Sequence, residues 1–314
     1  MPPSRDLMIR LHRLRELFLA EDRGDGALPD YWRDDGDLRA YDRVFAARIG
    51  WKWDAAMAEC EDRGWRRDDH AVVLDYGCGT GIAARRFARR FGAREVLCHD
   101  RSPAAMRFAA RAVVADDDRL RARAAPDLAD VRPDVLLVSH VLGELDERGA
   151  AALQELIARS RRVVLVEPGN KATSRRLGEL RARLLPTFAV IAPCPHATDC
   201  PALARRDDWC HFFAAPPPEV FTTGEWVLTA RELGIDLRSL PYAFLALDRE
   251  PSPLPAPPHR LLGRSDLGKH EHRVQLCTAA GLQETRVAKR HDPATFRALK
   301  KEPQTVRWLP PAAP

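Results

Sequence analysis

Residues 72–81 read Val-Val-Leu-Asp-Tyr-Gly-Cys-Gly-Thr-Gly, and the rest of the chain is organised around them. A short β-branched run ends on the acidic Asp75, glycines follow at 77, 79 and 81, and Ile82 to Phe91 then reads as a helix. Strand, tight turn and helix N-terminus in that order bring backbone close to a nucleotide-like ligand. The glycines spare the turn Cβ clashes and permit positive φ. The spacing after the acid is G-x-G-x-G, which differs from the G-x-G-x-x-G of a dinucleotide site.

Outward from this stretch the chain alternates. Strands are expected at Glu95 to His99, in a poorly marked segment near Leu120 to Ala124, at Asp134 to Ser139 and at Arg162 to Val166. Helices are expected at Pro103 to Val114 and Ala150 to Ser160. Such alternation builds an α/β fold with a doubly wound, mostly parallel sheet. The loop resembles the S-adenosylmethionine site of Rossmann-like methyltransferases. That resemblance implies a cofactor site at Asp75, Gly77, Gly79 and Gly81, with the backbone amides of 77–81 lining the pocket. Asp100 closes the second strand, where a carboxylate can accept both ribose hydroxyls or cap the helix after Ser102-Pro103.

The fourth strand ends where a methyl acceptor would lie, in Ser139-His-Val-Leu-Gly-Glu-Leu145. Amino-methylating enzymes of nucleic acids commonly carry an Asn/Asp-Pro-Pro-aromatic turn there, and this chain does not. His140 or Glu144 could serve as a general base; a strand-end cap and a loop tie are the plainer roles for the same two residues.

With 314 residues and 45% hydrophobic composition the chain can bury a sizeable core. No apolar run approaches the roughly 20 residues of a membrane span, and the N-terminal segment lacks an export pattern, so a cytoplasmic monomer with no membrane partner is expected. The expected organisation is a helical preface over 1–65, a methyltransferase-like domain over 66–250 with a Cys-rich loop at 192–213, and a C-terminal part over 251–314. That last part carries a Pro-rich connector, a hairpin and a tail. Residues 21–29 read as a loop, the 311–314 tail as disordered, and Asp37 to Ile49 and Trp53 to Cys60 as two short helices. Of 50 basic residues 44 are Arg and six are Lys. Arg85, Arg86, Arg89 and Arg90 share one helix, and Arg175, Arg176, Arg181 and Arg183 another. Each group reads either as a phosphate-gripping face or as an ordinary solvated one.

Seven cysteines in a chain without an export pattern argue against a disulfide framework. Three fall in Pro193-Cys-Pro-His196, Asp199-Cys-Pro201 and Trp209-Cys-His-Phe212, spaced C-x5-C-x9-C, with Cys277 far downstream. Zinc fingers usually pair ligands as C-x2-C or C-x4-C, and those pairs are absent here. Four thiolates equally suit an iron–sulfur cubane, and spacing leaves the two metals level, with His196 and His211 as further zinc ligands. The combination of these segments with Leu74 to Gly81, Ser139 to Leu145, Leu165-Val-Glu-Pro-Gly169 and Gln275-Leu-Cys-Thr278 resembles the methyltransferase-like family of mitochondrial small-ribosomal-subunit assembly proteins, which has yeast and bacterial relatives. The resemblance covers about Val72 to Arg290. It implies a 4Fe–4S cluster on Cys194, Cys200, Cys210 and Cys277, with zinc as the alternative. It also implies small-subunit ribosomal RNA or a pre-ribosomal particle as partner. Whether the chain transfers methyl groups to ribosomal RNA or is a silent assembly factor stays open at this point, as does a zinc-containing small-molecule methyltransferase.

Overall fold

The computed structural model describes residues 3–19 and 30–309. The expected loop at 21–29 and the 311–314 tail lie outside these. The chain divides into two compact units, neither of which is one continuous stretch. The first comprises residues 1–57, 66–165 and 215–240, and the second 58–65, 166–214 and 241–314. Among the described residues, no helix is long and apolar enough to cross a membrane.

In the first unit, helix α1 (Arg5–Leu19) buries Leu7, Met8, Leu11 and Leu14, the apolar stripe its three-to-four spacing dictates. Helix α2 (Asp35–Tyr41) follows the Asp34 N-cap and continues through a π-helical turn (Asp42–Ala46) into α3 (Ala47–Asp62). One helical run therefore replaces the two short helices expected here. Gly50 suggests a break on propensity, yet it is buried inside the run. A Cβ there would stand 2.8 Å from Arg86 Nε, so the missing side chain makes room for that approach. Asp37 anchors the entry to α2, accepting from Arg10 Nη1 at 2.9 Å, from the Arg33 N–H at 2.9 Å and from Arg13.

The central strand β1 (Val72–Tyr76) lies parallel to β2 (Glu95–His99) on one side and to β4 (Val135–Ser139) on the other, and β2 lies parallel to β3 (Arg121–Ala124). Val73 and Leu74 of β1 and Val135 to Val138 of β4 are buried, on both faces of the sheet, as expected of inner strands flanked by crossover helices. Those helices are α4 (Ile82–Phe91), α5 (Pro103–Asp116), which carries Pro at its first turn after the Ser102 N-cap, and α6 (Glu147–Arg159), capped by Asp146. The expected α/β architecture with a mostly parallel sheet is present. Strand β5 (Arg162–Pro168) closes this series, and the boundary between the units falls within it.

The second unit continues with α7 (Lys171–Leu184), β6 (Ala189–Ala192) and β7 (Phe212–Phe213). Helices α8 (Glu219–Thr222) and α9 (Gly224–Leu233) belong to the first unit. Strand β8 (Pro241–Asp248) pairs antiparallel with both β6 and β7. A separate antiparallel sheet runs β11-β10-β9-β12, from β9 (His259–Leu267), β10 (Glu271–Thr278), β11 (Gly281–Ala288) and β12 (Trp308–Leu309). The β10–β11 hairpin matches the sequence pattern. Strand β9 does not announce itself, because Gly263 at φ +61° and a register shift interrupt its alternation. Its pairing partners supply the order that its own residues do not specify. Helix α10 (Pro293–Lys301) contributes Phe296 and Leu299 to the small core of this sheet, beside Leu261, Val274, Leu276 and Val287.

Candidate functional site

The glycine loop has the conformation its residues require. Gly77, Gly79 and Gly81 all lie at positive φ, +70°, +50° and +78°. Their surroundings differ. A Cβ on Gly77 would fall 2.4 Å from Val141 Cγ2 and one on Gly81 3.0 Å from Ala109, whereas nothing lies within 4 Å of the position at Gly79. The open face of the loop is at Gly79.

The backbone amides differ from expectation. The N–H groups of Gly77 and Cys78 donate to the His99 carbonyl at 2.8 and 2.9 Å, that of Gly81 to the Cys78 carbonyl at 2.7 Å, and that of Gly79 to Asp100 Oδ2 at 2.9 Å. The loop is therefore braced internally and offers a ligand its shape more than a row of free donors. Asp100 also accepts from the Ser102 N–H through Oδ1 at 2.9 Å. It ties the loop and caps a turn while keeping lone pairs for a ribose. Burial raises its pKa against those two N–H bonds.

Asp75 faces inward. Its side chain is fully buried, and Oδ2 accepts from the Ala84 N–H at 3.2 Å at the start of α4 while Oδ1 has no hydrogen-bond partner. Burial pushes its carboxyl up to about 8; the Ala84 bond opposes the rise and the charge of Asp100 adds to it. The native state thus keeps a proton that an unfolded chain releases near pH ~3.9. The stability that proton contributes is full below that pH and is lost as pH climbs through about 8. Asp75→Asn is accordingly expected to gain stability over the wild type between pH 5 and 8.5, by up to about 1.4 kcal/mol per pH unit. Urea melts at both ends of that range check it, and a difference independent of pH would contradict it.

At the end of β4, Trp53 Nε1 donates to Ser139 Oγ at 2.9 Å. The next residue, His140, sits at φ +57°, a left-handed conformation uncommon for residues other than glycine, and its buried Nε2 has no hydrogen-bond partner. Burial, with the charge of Lys52, holds its imidazole well below the usual range, so the ring is neutral. Tyr31 and Tyr41 were not marked by the sequence as site residues. They lie close enough to Glu144 and Asp100 for those charges to raise both phenols further, after burial. The Arg101 guanidinium is 5.2 Å from the Tyr31 ring centroid, and Trp32 packs against both tyrosines. Only long-range packing could have revealed them.

Within the second unit, Cys194, Cys200, Cys210 and Cys277 line one cavity, together with Arg181 and Arg260. The first three come from the irregular segment between β6 and β7, and Cys277 from β10. Burial raises the Cys194 thiol; it pushes Cys277 up to about 12 and Cys210 well above its usual value, with the other thiolates of the set adding to the rise in each case. Cys277 Sγ lies 3.6 Å from His196 Nε2. Such thiols stay protonated unless a metal takes the proton's place. Among the described residues, no three His, Cys, Asp or Glu side chains converge as a single ion would require. The four cysteines line the same small cavity. Mononuclear zinc draws its thiolates to one point at about 2.3 Å, whereas a four-iron cubane is held by thiolates spread around it. Cys78 and Cys98 are buried in the first unit and Cys60 in the second; none of the three lines this cavity.

The arginines expected either to grip phosphate or to be solvated are in large part occupied. On α4, Arg85 pairs with Asp42 at 2.8 Å and Asp116 at 3.0 Å, Arg86 with Asp54 at 3.3 Å and Arg89 with Asp116 at 3.6 Å. On α7, Arg175 donates to the carbonyls of Ala202, Leu203, Arg205 and Asp208 at 2.8–3.3 Å, and Arg181 to those of His196 and Thr198 at 2.7 and 2.9 Å. Helix α7 is the scaffold that holds the cysteine segment in place.

The fold and these geometries bear on comparison with known proteins. Curated proteins give no match. Similar solved structures include PH1948 of Pyrococcus horikoshii, described as a candidate RNA methyltransferase (13% identity, 76% of this chain and 97% of that one, TM-score 0.39). Another is the methyltransferase domain of a bacterial Hen1 protein (12%, 63% and 97%, TM-score 0.38). A third is an rRNA methylase from Streptococcus thermophilus (10%, 61% and 93%, TM-score 0.36). At these scores the likeness bears on neither substrate nor mechanism. A family model described as mitochondrial small ribosomal subunit Rsm22 matches residues 57–308, which include the glycine loop, His140 and all four cavity cysteines. The chain belongs to the mitochondrial small ribosomal subunit Rsm22 family.

Proposed function

We propose that this chain is an S-adenosylmethionine-binding, iron–sulfur-containing protein of methyltransferase fold that binds small-subunit ribosomal RNA during assembly of the subunit. The observation that carries this reading is the family membership, whose span takes in both the glycine loop and the whole cysteine set. The four cysteines that line one cavity are the ligand set a 4Fe–4S cluster takes, with zinc as the alternative. When bound, the cluster would brace the segment after β6 to strand β10. Asp100 and the open face at Gly79 would hold the adenosyl group, with Asp75 supporting the turn from beneath.

The binding role is favoured over catalysis because Ser139 to Leu145 replaces the turn that positions a target amine. A catalytic reading has one observation in its favour. His140 is neutral, strained and carries an unpartnered Nε2, as a base awaiting an acceptor would. Crosslinking the full chain to cellular RNA with tritiated S-adenosylmethionine present tests both. Enrichment of small-subunit ribosomal RNA is expected. Recovery of no RNA, or of unrelated RNA, would overturn the reading. Tritium in that RNA with the wild type but not with His140→Ala would establish catalysis.

A further inference from the structure

Two buried guanidinium groups face the cysteine cavity with a donor to spare. Arg181 and Arg260 are 2% and 3% exposed, both line the cavity, and the Nε of each is buried without a hydrogen-bond partner. Their other nitrogens are committed. Arg181 donates to the His196 and Thr198 carbonyls; Arg260 donates to the Arg307 carbonyl at 2.7 Å and to Glu59 Oε2 at 2.8 Å. Arg260 also lies over the rings of Phe212 and Trp308, at 4.1 and 5.0 Å from their centroids. A guanidinium cannot shed its charge at accessible pH, and leaving a charged donor buried without an acceptor is costly. Two such donors at one cavity mark a place for an anion.

The charges are not equivalent. Glu59 balances Arg260, whereas no carboxylate pairs with Arg181 among the described residues. Arg181 brings the uncompensated positive charge.

We propose that Arg181, assisted by Arg260, is the charge-balancing and N–H-donating partner of the anionic iron–sulfur group held by Cys194, Cys200, Cys210 and Cys277. The proposal rests on the cluster reading above. Four thiolates leave the bound group net negative, and its one-electron reduction adds a further negative charge. A buried cation and N–H donors beside the sulfurs stabilise that more negative state, so they raise the reduction potential.

The test is a spectroelectrochemical titration of the anaerobically reconstituted full chain with dithionite as the one-electron reductant, after iron and sulfide have been counted. Arg181→Gln is expected to shift the potential to more negative values, and Arg181→Lys, which keeps the charge, to recover most of that shift. Glu59→Gln, which frees the charge of Arg260 while keeping the side-chain shape, is expected to shift it in the positive direction. A merely structural role would not give opposite signs. If Arg181→Gln fails to fold, Glu59→Gln carries the test alone. A brown variant with the wild-type potential overturns this proposal and leaves the cluster reading intact. A colourless, zinc-loaded wild type overturns both.

Discussion

Protein purified without oxygen is expected to be brown and to contain about four irons per chain, and Cys210→Ser to lose both the colour and the order of residues 193–213. That segment has little of its own to fold around: its only helical piece is the 3-10 turn Pro201–Leu203. What holds it is a set of carbonyls tied to Arg175 and Arg181, and the cavity that its cysteines line. Removing one thiolate takes away a metal–ligand bond and leaves the other three thiolates without their full counter-charge, and metal binding is then lost together with the local fold it supports. Limited proteolysis reads the second effect and iron analysis the first. Cys60→Ser, at a buried cysteine that does not line the cavity, is expected to keep the colour. A colourless wild type loaded with zinc, or a protease-resistant segment in cluster-free protein, would contradict the assignment.

Two glycines of one loop should respond in opposite ways. Gly77→Ala places a Cβ 2.4 Å from Val141 Cγ2 at φ +70°. The left-handed conformation costs about 1–2 kcal/mol and overpacking about 1–3 kcal/mol, so a fall in Tm of roughly 10 °C is expected. Gly79→Arg meets open space. It bears only the conformational cost, about 1–2 kcal/mol, and the protein should fold, while the side chain fills the face on which the adenosyl group would lie. Calorimetric titration with S-adenosylmethionine is expected to show no binding to a folded Gly79→Arg protein. Unchanged affinity would mean that the loop no longer serves as a cofactor site, and a wild-type Tm for Gly77→Ala would contradict the close packing against Val141.

Val72 to Phe91 was legible from residue order alone, because strand, glycine turn and amphipathic helix are each specified within a few residues. The hairpin at 271–288 was legible for the same reason. Side-chain chemistry marked out Cys194, Cys200, Cys210 and Cys277, and family resemblance joined Cys277 to the other three. What the tertiary structure alone decided depends on partners far apart in the chain. It turned Asp75 inward under α4 and spent the loop amides on His99 and Asp100. It put Gly50 inside a helix so that Arg86 could approach, and it completed β9 through β10 and β12. It also converted much of the arginine surplus from candidate phosphate contacts into internal ties. Arg85 reaches Asp42 and Asp116, Arg175 four carbonyls of the cysteine segment, and Arg260 the buried Glu59. An arginine in sequence declares its charge but not its acceptor. Only folding decides whether a carboxylate, a carbonyl or an outside ligand stands opposite it.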